Sequence, residues 1–369
     1  MTKKELFYFT GQCLTLDEHP GFREEIIALI AKDAIDWEKL IGLCSNHLVL
    51  PLIYLKFKTH GLLSSLPEEV LECLEEIHAL NFSRNQQILQ QVKEVTALLN
   101  KEGIYPVYLK GAGHLINGLY TDIGERMIGD IDLLVSEKDY LPAARLLEKE
   151  GYSTGGTFYG DVNILKHYPR LFKPGVPADL EVHRMPVAEI HESWFNAELI
   201  FKEKKTVSGL EGCFVLSDKH NLIHNFIHCQ LGHQGHNTGI VAFRDLYDLY
   251  LFSKRTTIES VLAEIKPRQK AIAYFMLAGK ALGLAGEFYP SPNLSSRILI
   301  LKHDLNYSSK IFYNTYRAVN YVLQRINGYI QQFIQSFYSK KVRRSVIDRL
   351  SNRQWYMAHL KSYKNIFQR

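Results

Sequence analysis

At 369 residues the chain exceeds one ordinary domain, so two or three units are expected; its apolar content is that of a globular protein, with no run of about eighteen uncharged apolar residues to span a bilayer. The net charge of +5 conceals an asymmetry: after residue 296 there are 14 Lys/Arg against only Asp304 and Asp348, so that segment carries +12 and the rest −7. The five cysteines are scattered without a CxxC pair, which argues against a disulfide framework or a zinc ribbon and for reduced thiols in a cytosol.

The opening stretch MTKKELFYFTGQCLTLDEHP has an interrupted apolar run and early acids, unlike a secretory signal, and a cytoplasmic location is expected. From about residue 20 to Glu102 the pattern predicts helices. Pro51 and LLSSLPEE mark breaks, with Ser65 suited to a cap and Pro67 to a first helical turn. The last of these helices ends at Gly103. Strands are predicted over 104–109 and 128–135, then a helix within 136–151 closed by glycine. Two further strands, VNILKHYPRLFK and ADLEVHR, are separated by the turn-forming PGVP. Helices are expected from about Ile190 to Gly286, and YPSPN (289–293) reads as a linker. Beyond it, apolar residues at Phe312, Tyr316, Val319, Leu323, Ile326, Ile330, Phe333 and Phe337 follow a four-three spacing, which predicts one long amphipathic helix ending at KKVRR.

Chemistry concentrates in LKGAGHLINGLYTDIGERMIGDIDLLV (109–135). Strand residues i and i+2 share a face, so Asp130 and Asp132 project together while Ile131 and Leu133 pack behind them. Adjacent carboxylates repel, and a hard divalent cation such as Mg²⁺, with Mn²⁺ as the substitute, resolves that repulsion. Glu181, between Leu180 and Val182, alternates with packing residues in the same way and supplies a third carboxylate; His183 shares its face as a base, a substrate contact or a structural hydrogen-bonding group. Lys110 and Gly111 stand where a strand turns into a helix, a place for phosphate oxygens. Arg126 either clamps a phosphate or neutralises the acidic cluster. His220, His224 and His228 repeat every four residues, with His233 and His236 beyond. They read either as lining a cleft, with His228 a substrate contact, or as sharing a metal. Arg244 and Asp248 have the spacing of a helix pair. The C-terminal basic residues are interleaved with Tyr307, Tyr313, Tyr329, Tyr338, Trp355, Tyr356 and Tyr363, which suits a solvated helical cap, nucleic acid, an anionic membrane or an acidic protein.

These motifs resemble the uncharacterised nucleotidyltransferase family of the polymerase-beta-like superfamily, over about Trp37 to Phe252. The shared features are Leu109-Lys110-Gly111, Arg126, Asp130 to Val135, and Leu180 to His183, together with the helical stretch holding His228 and the Arg-Asp pair near 244. Gly111-Ala112 departs from the Gly-Ser or Gly-Gly turn of the wider superfamily, and YTDIGER lengthens the gap to the first aspartate. The resemblance implies transfer of an NMP group from an NTP, ATP by default, to an unidentified acceptor, with release of pyrophosphate. Asp130, Asp132 and Glu181 would hold Mg²⁺, and Glu181 would also help deprotonate the acceptor hydroxyl.

An α+β fold is therefore expected. A helical region (1–102) precedes a small mixed-sheet core (103–190), followed by helices closing the cleft (191–288) and a basic amphipathic C-terminus (294–369). The alternative is a catalytically inactive chain of the same fold that binds nucleic acid or an anionic membrane through its basic end.

Overall fold

A computed structural model describes residues 1–156, 161–288, 291–351, 353 and 357. Helices begin earlier than residue 20. α1 (Lys3–Leu14) opens with a capping box: the Thr2 hydroxyl accepts from the Glu5 amide, and the Glu5 carboxylate accepts from the Thr2 amide at 2.7 Å. Its Leu6, Phe7, Phe9, Cys13 and Leu14 are buried, so this apolar stretch belongs to the core. α2 (Phe22–Ala31), α3 (Trp37–Asn46) and α4 (Leu50–Thr59) follow, and α5 (Glu68–Lys101) is 34 residues long. Pro51 sits in the first turn of α4, where its missing N–H costs nothing. Pro67 is itself the residue preceding α5, and Ser65 belongs to a short 3₁₀ turn instead of capping the helix. Among the described residues no single helix is long and apolar enough to cross a membrane.

The chain after α5 builds one mixed sheet of seven strands in the order β3-β4-β5-β2-β1-β7-β6, an α+β arrangement. β1 (Val107–Leu109) leads into α6 (Lys110–Ile116), and β2 (Asp130–Leu134) returns antiparallel to β1. α7 (Tyr140–Lys149), β3 (Ser153–Thr154), β4 (Leu171–Phe172) and β5 (Asp179–His183) follow. β5 lies parallel to β2, and β4 is antiparallel to β5. Only the end of VNILKHYPRLFK is a strand. Residues 162–164 form a 3₁₀ turn, and His167 makes an isolated bridge to His183. Pro169, with no N–H for a ladder, stands between that bridge and β4.

The expectation of helices alone from Ile190 to Gly286 is corrected. After α8 (Ala197–Glu203), β6 (Lys205–Val207) and β7 (Leu210–Val215) form a hairpin around Ser208-Gly209, and β7 joins β1 in parallel. Gly209 takes φ +75°, which the tight turn requires and side chains resist. Helices then resume with α9 (Asp218–Phe226), a π-helical turn (Ile227–Gly232) and α10 (Gly235–Thr238). α11 (Phe243–Ser253), α12 (Ile258–Glu264) and α13 (Arg268–Ala281) complete this region. Tyr289 and Pro290 of the expected linker lie outside the described residues, as do Trp355, Tyr356 and Tyr363. α14 (Leu294–Ser308) is followed by α15 (Lys310–Tyr338), 29 residues carrying the four-three stripe, and α16 (Lys340–Leu350).

α5 backs the sheet and fixes the loop ahead of β2. The Tyr108 hydroxyl bonds Thr96 Oγ1 at 2.9 Å and the Val92 carbonyl at 3.2 Å. About two to three turns nearer the start of α5, Asn81 donates to the Gly124 carbonyl at 2.7 Å, and Asn85 to those of Ile123 at 2.6 Å and Arg126 at 2.8 Å. Arg84 donates to the Ile128 and Pro177 carbonyls, tying together the starts of β2 and β5. The lengthened YTDIGER segment is thereby held by buried amides on one face of a helix. α6 packs on β1 so closely that a methyl group on Gly113 would stand 2.5 Å from the Tyr108 carbonyl oxygen. Backbone cannot yield as a side chain does, so Gly113→Ala is expected to lower stability by about 1–3 kcal/mol. Urea denaturation checks this; an unchanged midpoint would mean that α6 does not pack on β1 in this way.

Candidate active site

The register of β2 against β5 assembles the site. Asp130 is level with Asp179, Asp132 with Glu181, and Leu134 with His183. Alternation puts the four carboxylates and His183 on one face, while Ile131, Leu133, Leu180 and Val182 are buried on the other. Asp132 and His183 are almost fully buried, and Glu181 is 9% exposed. His183 Nε2 lies 2.9 Å from Asp132 Oδ1 and 3.5 Å from Glu181 Oε2. Since a carboxylate only accepts, Nε2 carries the proton.

Two cations serve this acidic face. Lys110 Nζ donates to Asp132 Oδ1 at 2.6 Å. Lys110 takes φ +49°, a left-handed conformation uncommon for a side-chain-bearing residue, at the point where β1 becomes α6. Gly111 is buried beside it, and a Cβ there would meet Ile128 Cγ1 at 3.3 Å. Arg170, which the sequence reading missed, bridges two carboxylates: its Nη2 donates to Asp130 Oδ2 at 2.7 Å and Glu181 Oε1 at 2.9 Å. Its Nη1 is 3.9 Å from Asp179 Oδ2. The signal for Arg170 was the hairpin itself, because Leu171 pairs with Leu180 and the preceding residue then falls opposite Glu181.

The three carboxyls titrate differently. Burial, with the neighbouring Asp132 charge, raises the Asp130 pKa above the usual carboxylate value. Burial also disfavours the Asp132 anion, but the Lys110 ammonium and the His183 hydrogen bond outweigh it and hold this carboxyl well below the ordinary range. Glu181 is pushed down to about 2: burial opposes ionisation, and the His183 bond, the His167 charge and the Arg170 bond overcome it.

Asp130 and Glu181 line one side of a cavity of about 780 Å³, whereas Asp132 and His183, almost fully buried, are not among its lining residues. Lys110, Gly111, Arg126, Asp130, Glu181 and His228 all reach it, as do Lys166, His167 and Arg170, which the sequence reading did not single out. Arg126 is brought to the wall but engaged elsewhere. Its Nε and Nη2 donate to the Asp248 carboxylate at 2.9 Å and 2.7 Å, and its Nη1 donates to the Met127 carbonyl at 2.7 Å. Asp248 also accepts from the Tyr120 hydroxyl, and His114 Nδ1 lies 3.3 Å away. Burial opposes its ionisation, and the Arg126 charge and His114 more than offset that, lowering its pKa. The expected Arg244–Asp248 helix pair is therefore not formed; Arg244 Nε lies 3.5 Å from Asp245.

The histidines at four-residue spacing do not converge. His220 Nε2 lies 3.4 Å from Glu203, and His224 Nε2 pairs with the Pro186 carbonyl at 3.1 Å. His228 Nε2 meets His233 Nε2 at 3.0 Å beside the cavity. Burial and the Lys110 charge push His224 down to about 3 and lower His228 further, so both are neutral at pH 7.

Among the described residues, Asp132, Glu181 and His183 present ligand atoms that all lie within 4.8 Å of one another. Asp130 falls outside this set, next along β2. The donor chemistry fits a hard divalent cation. Carboxylate oxygens are its natural ligands, and His183, already bonded to Asp132, orients that carboxylate. The strong hydrogen bonds fall on one oxygen of each acid: Oδ2 of Asp130, Oδ1 of Asp132 and Oε1 of Glu181.

Paired acidic strands beside a lysine-bearing strand–helix turn, over a cleft rich in cations, are an arrangement that suits phosphate chemistry. The chain belongs to a family described as uncharacterised nucleotidyltransferase, whose model matches residues 33–290. Membership gives the reaction class, nucleotidyl transfer from a nucleoside triphosphate. No curated protein matches the chain. The family match includes the β6–β7 hairpin and ends before α14, so α15 and α16 lie outside it.

Proposed function

We propose that this protein moves a nucleoside monophosphate from a nucleoside triphosphate, ATP by default, to an acceptor hydroxyl, releasing pyrophosphate. The observation that carries the proposal is the parallel register that sets Asp132 level with Glu181, with Asp130 one step along, at a cavity also lined by Lys110, Lys166 and Arg170. Asp130, Asp132 and Glu181 would hold Mg²⁺ or Mn²⁺. Bound there, the ion supplies charge neutralisation to phosphate oxygens and acidifies an attacking hydroxyl.

The side chains have separable tasks. Lys110 offers its ammonium to a phosphate while remaining within reach of Asp132. Gly111 keeps the first turn of α6 free of a side chain where phosphate oxygens approach. Arg170 offsets the repulsion between Asp130 and Glu181. Glu181, held anionic by the His183 and Arg170 hydrogen bonds, completes the ligand set and helps deprotonate the acceptor hydroxyl. His228, neutral and facing the cavity, serves as a hydrogen-bonding contact for the substrate.

The test is incubation with each α-labelled NTP, Mg²⁺ and a cell extract. One NTP is expected to label a specific macromolecule or small molecule only when the protein is present. Absence of label with all four would refute the proposal.

A further inference from the structure

We infer that α15 docks the protein on an anionic membrane surface through an apolar face that points away from the body. Val319, Leu323, Ile326, Ile330, Phe333 and Phe337 form one stripe along the helix and are 48–64% exposed. No described residue of α15 is buried. The polar side of the helix is the one turned inward. The stripe leaves the body after Tyr316, whose hydroxyl still donates to the Asn237 carbonyl at 2.7 Å; beyond it Gln335 Nε2, off the stripe, donates to Glu189 Oε2 at 3.3 Å. Arg317, Asn320, Tyr321 and Gln324 line a cavity of about 410 Å³ that shares His228, His233, Arg244 and Asp245 with the candidate active site. A surface helix of a water-soluble protein ordinarily buries its apolar stripe and exposes its polar face. Here the arrangement is reversed, and an apolar surface of this length requires a cover.

The charges select the cover. Between residues 305 and 347 there are seven Lys/Arg (Lys310, Arg317, Arg325, Lys340, Lys341, Arg343 and Arg344) and no Asp or Glu. An apolar stripe flanked by basic side chains only, with aromatic rings among the apolar ones, matches the interface of an anionic bilayer. The four-three spacing would also serve a coiled coil with a second copy. In that register the flanking positions are Asn320, Val322, Asn327, Tyr329, Ile334 and Ser336, which supply no opposite charges to pair across a seam. Exposed Val322 and Ile334 widen the stripe beyond such a seam. Two copies would also bring like-charged segments together, whereas anionic lipid compensates them.

Sedimentation of the full chain with vesicles tests the inference. Phosphatidylcholine vesicles with about 30% phosphatidylserine should bind at least about tenfold more tightly than phosphatidylcholine alone, with weakening at high salt. The triple variant Leu323→Gln/Ile330→Gln/Phe333→Gln should lose at least about tenfold of that binding. Its far-UV circular dichroism and thermal transition should be unchanged, since the three side chains are exposed. Equal, weak sedimentation with both vesicle types would overturn the inference, as would undiminished binding by the variant. So would a concentration-dependent dimer in analytical ultracentrifugation that the variant abolishes, because the face would then belong to a second copy.

Discussion

Asp130→Asn is expected to lower nucleotidyl transfer by about 10²- to 10³-fold or more, with the fold intact. The side chain is 28% exposed and its partner Arg170 43% exposed, so the lost ion pair contributes under about 1 kcal/mol to stability. Arg170 retains Glu181 at 2.9 Å. Folding also raises the Asp130 pKa, so its ionised form opposes folding, and this contribution grows as pH rises through the carboxylate range. A neutral amide removes that opposition, and thermal stability should be equal or slightly higher at pH 7. The same change at Asp132 is a poorer test. Asp132 is almost fully buried, and its charge balances the largely buried Lys110 ammonium and the His183 N–H. Asn there leaves Lys110 without its counter-charge, so lost activity would be confounded with lost structure. Turnover and melting measured together on both variants separate the two effects.

Arg126→Ala is expected to destabilise the protein by about 3–5 kcal/mol, because it leaves the Asp248 carboxylate buried without its cation. Arg126 and Asp248 are 6% and 1% exposed, and the guanidinium reaches both carboxylate oxygens. Lysine should not restore the loss, since it cannot present two donors in a plane. The paired change Arg126→Met/Asp248→Leu should recover part of the stability, because no isolated charge then remains. Chemical denaturation of the three variants checks this. An Arg126→Ala protein of unchanged stability and weakened triphosphate binding would instead make Arg126 the phosphate clamp that its sequence position suggests.

The acidic pair and its third partner were legible because strand alternation is strict: Asp132 and Glu181 each sit between apolar neighbours that had to pack, and Asp130 shares Ile131 with Asp132. The strand–helix turn at Lys110 was legible for a similar reason, since small residues followed an apolar run. Arg170 and the Arg126–Asp248 pair were not, because each depends on contacts between distant segments. Arg170 meets Glu181 only through the β4–β5 register, and the loop between those strands does not set that register by itself. Asp248 is 122 residues from Arg126, and the i+4 spacing to Arg244 offered a nearer partner that the fold does not use. The β6–β7 hairpin left a local trace, alternation around Ser208-Gly209, which was short enough to be absorbed into a helical reading. The α15 stripe showed its periodicity plainly. The direction it faces is a property of the body it packs against, and the sequence carries no sign of it.

A paired labelling reaction tests the central claim most directly. Wild-type protein and Asp130→Asn would each be incubated with Mg²⁺, extract, and the same NTP labelled at either the α or the γ phosphate. Nucleotidyl transfer at this site predicts that the wild-type protein passes the α label to an acceptor, releases the γ label in pyrophosphate, and that Asp130→Asn does neither. Transfer of the γ label to the acceptor, or full α transfer by Asp130→Asn, would contradict the assignment.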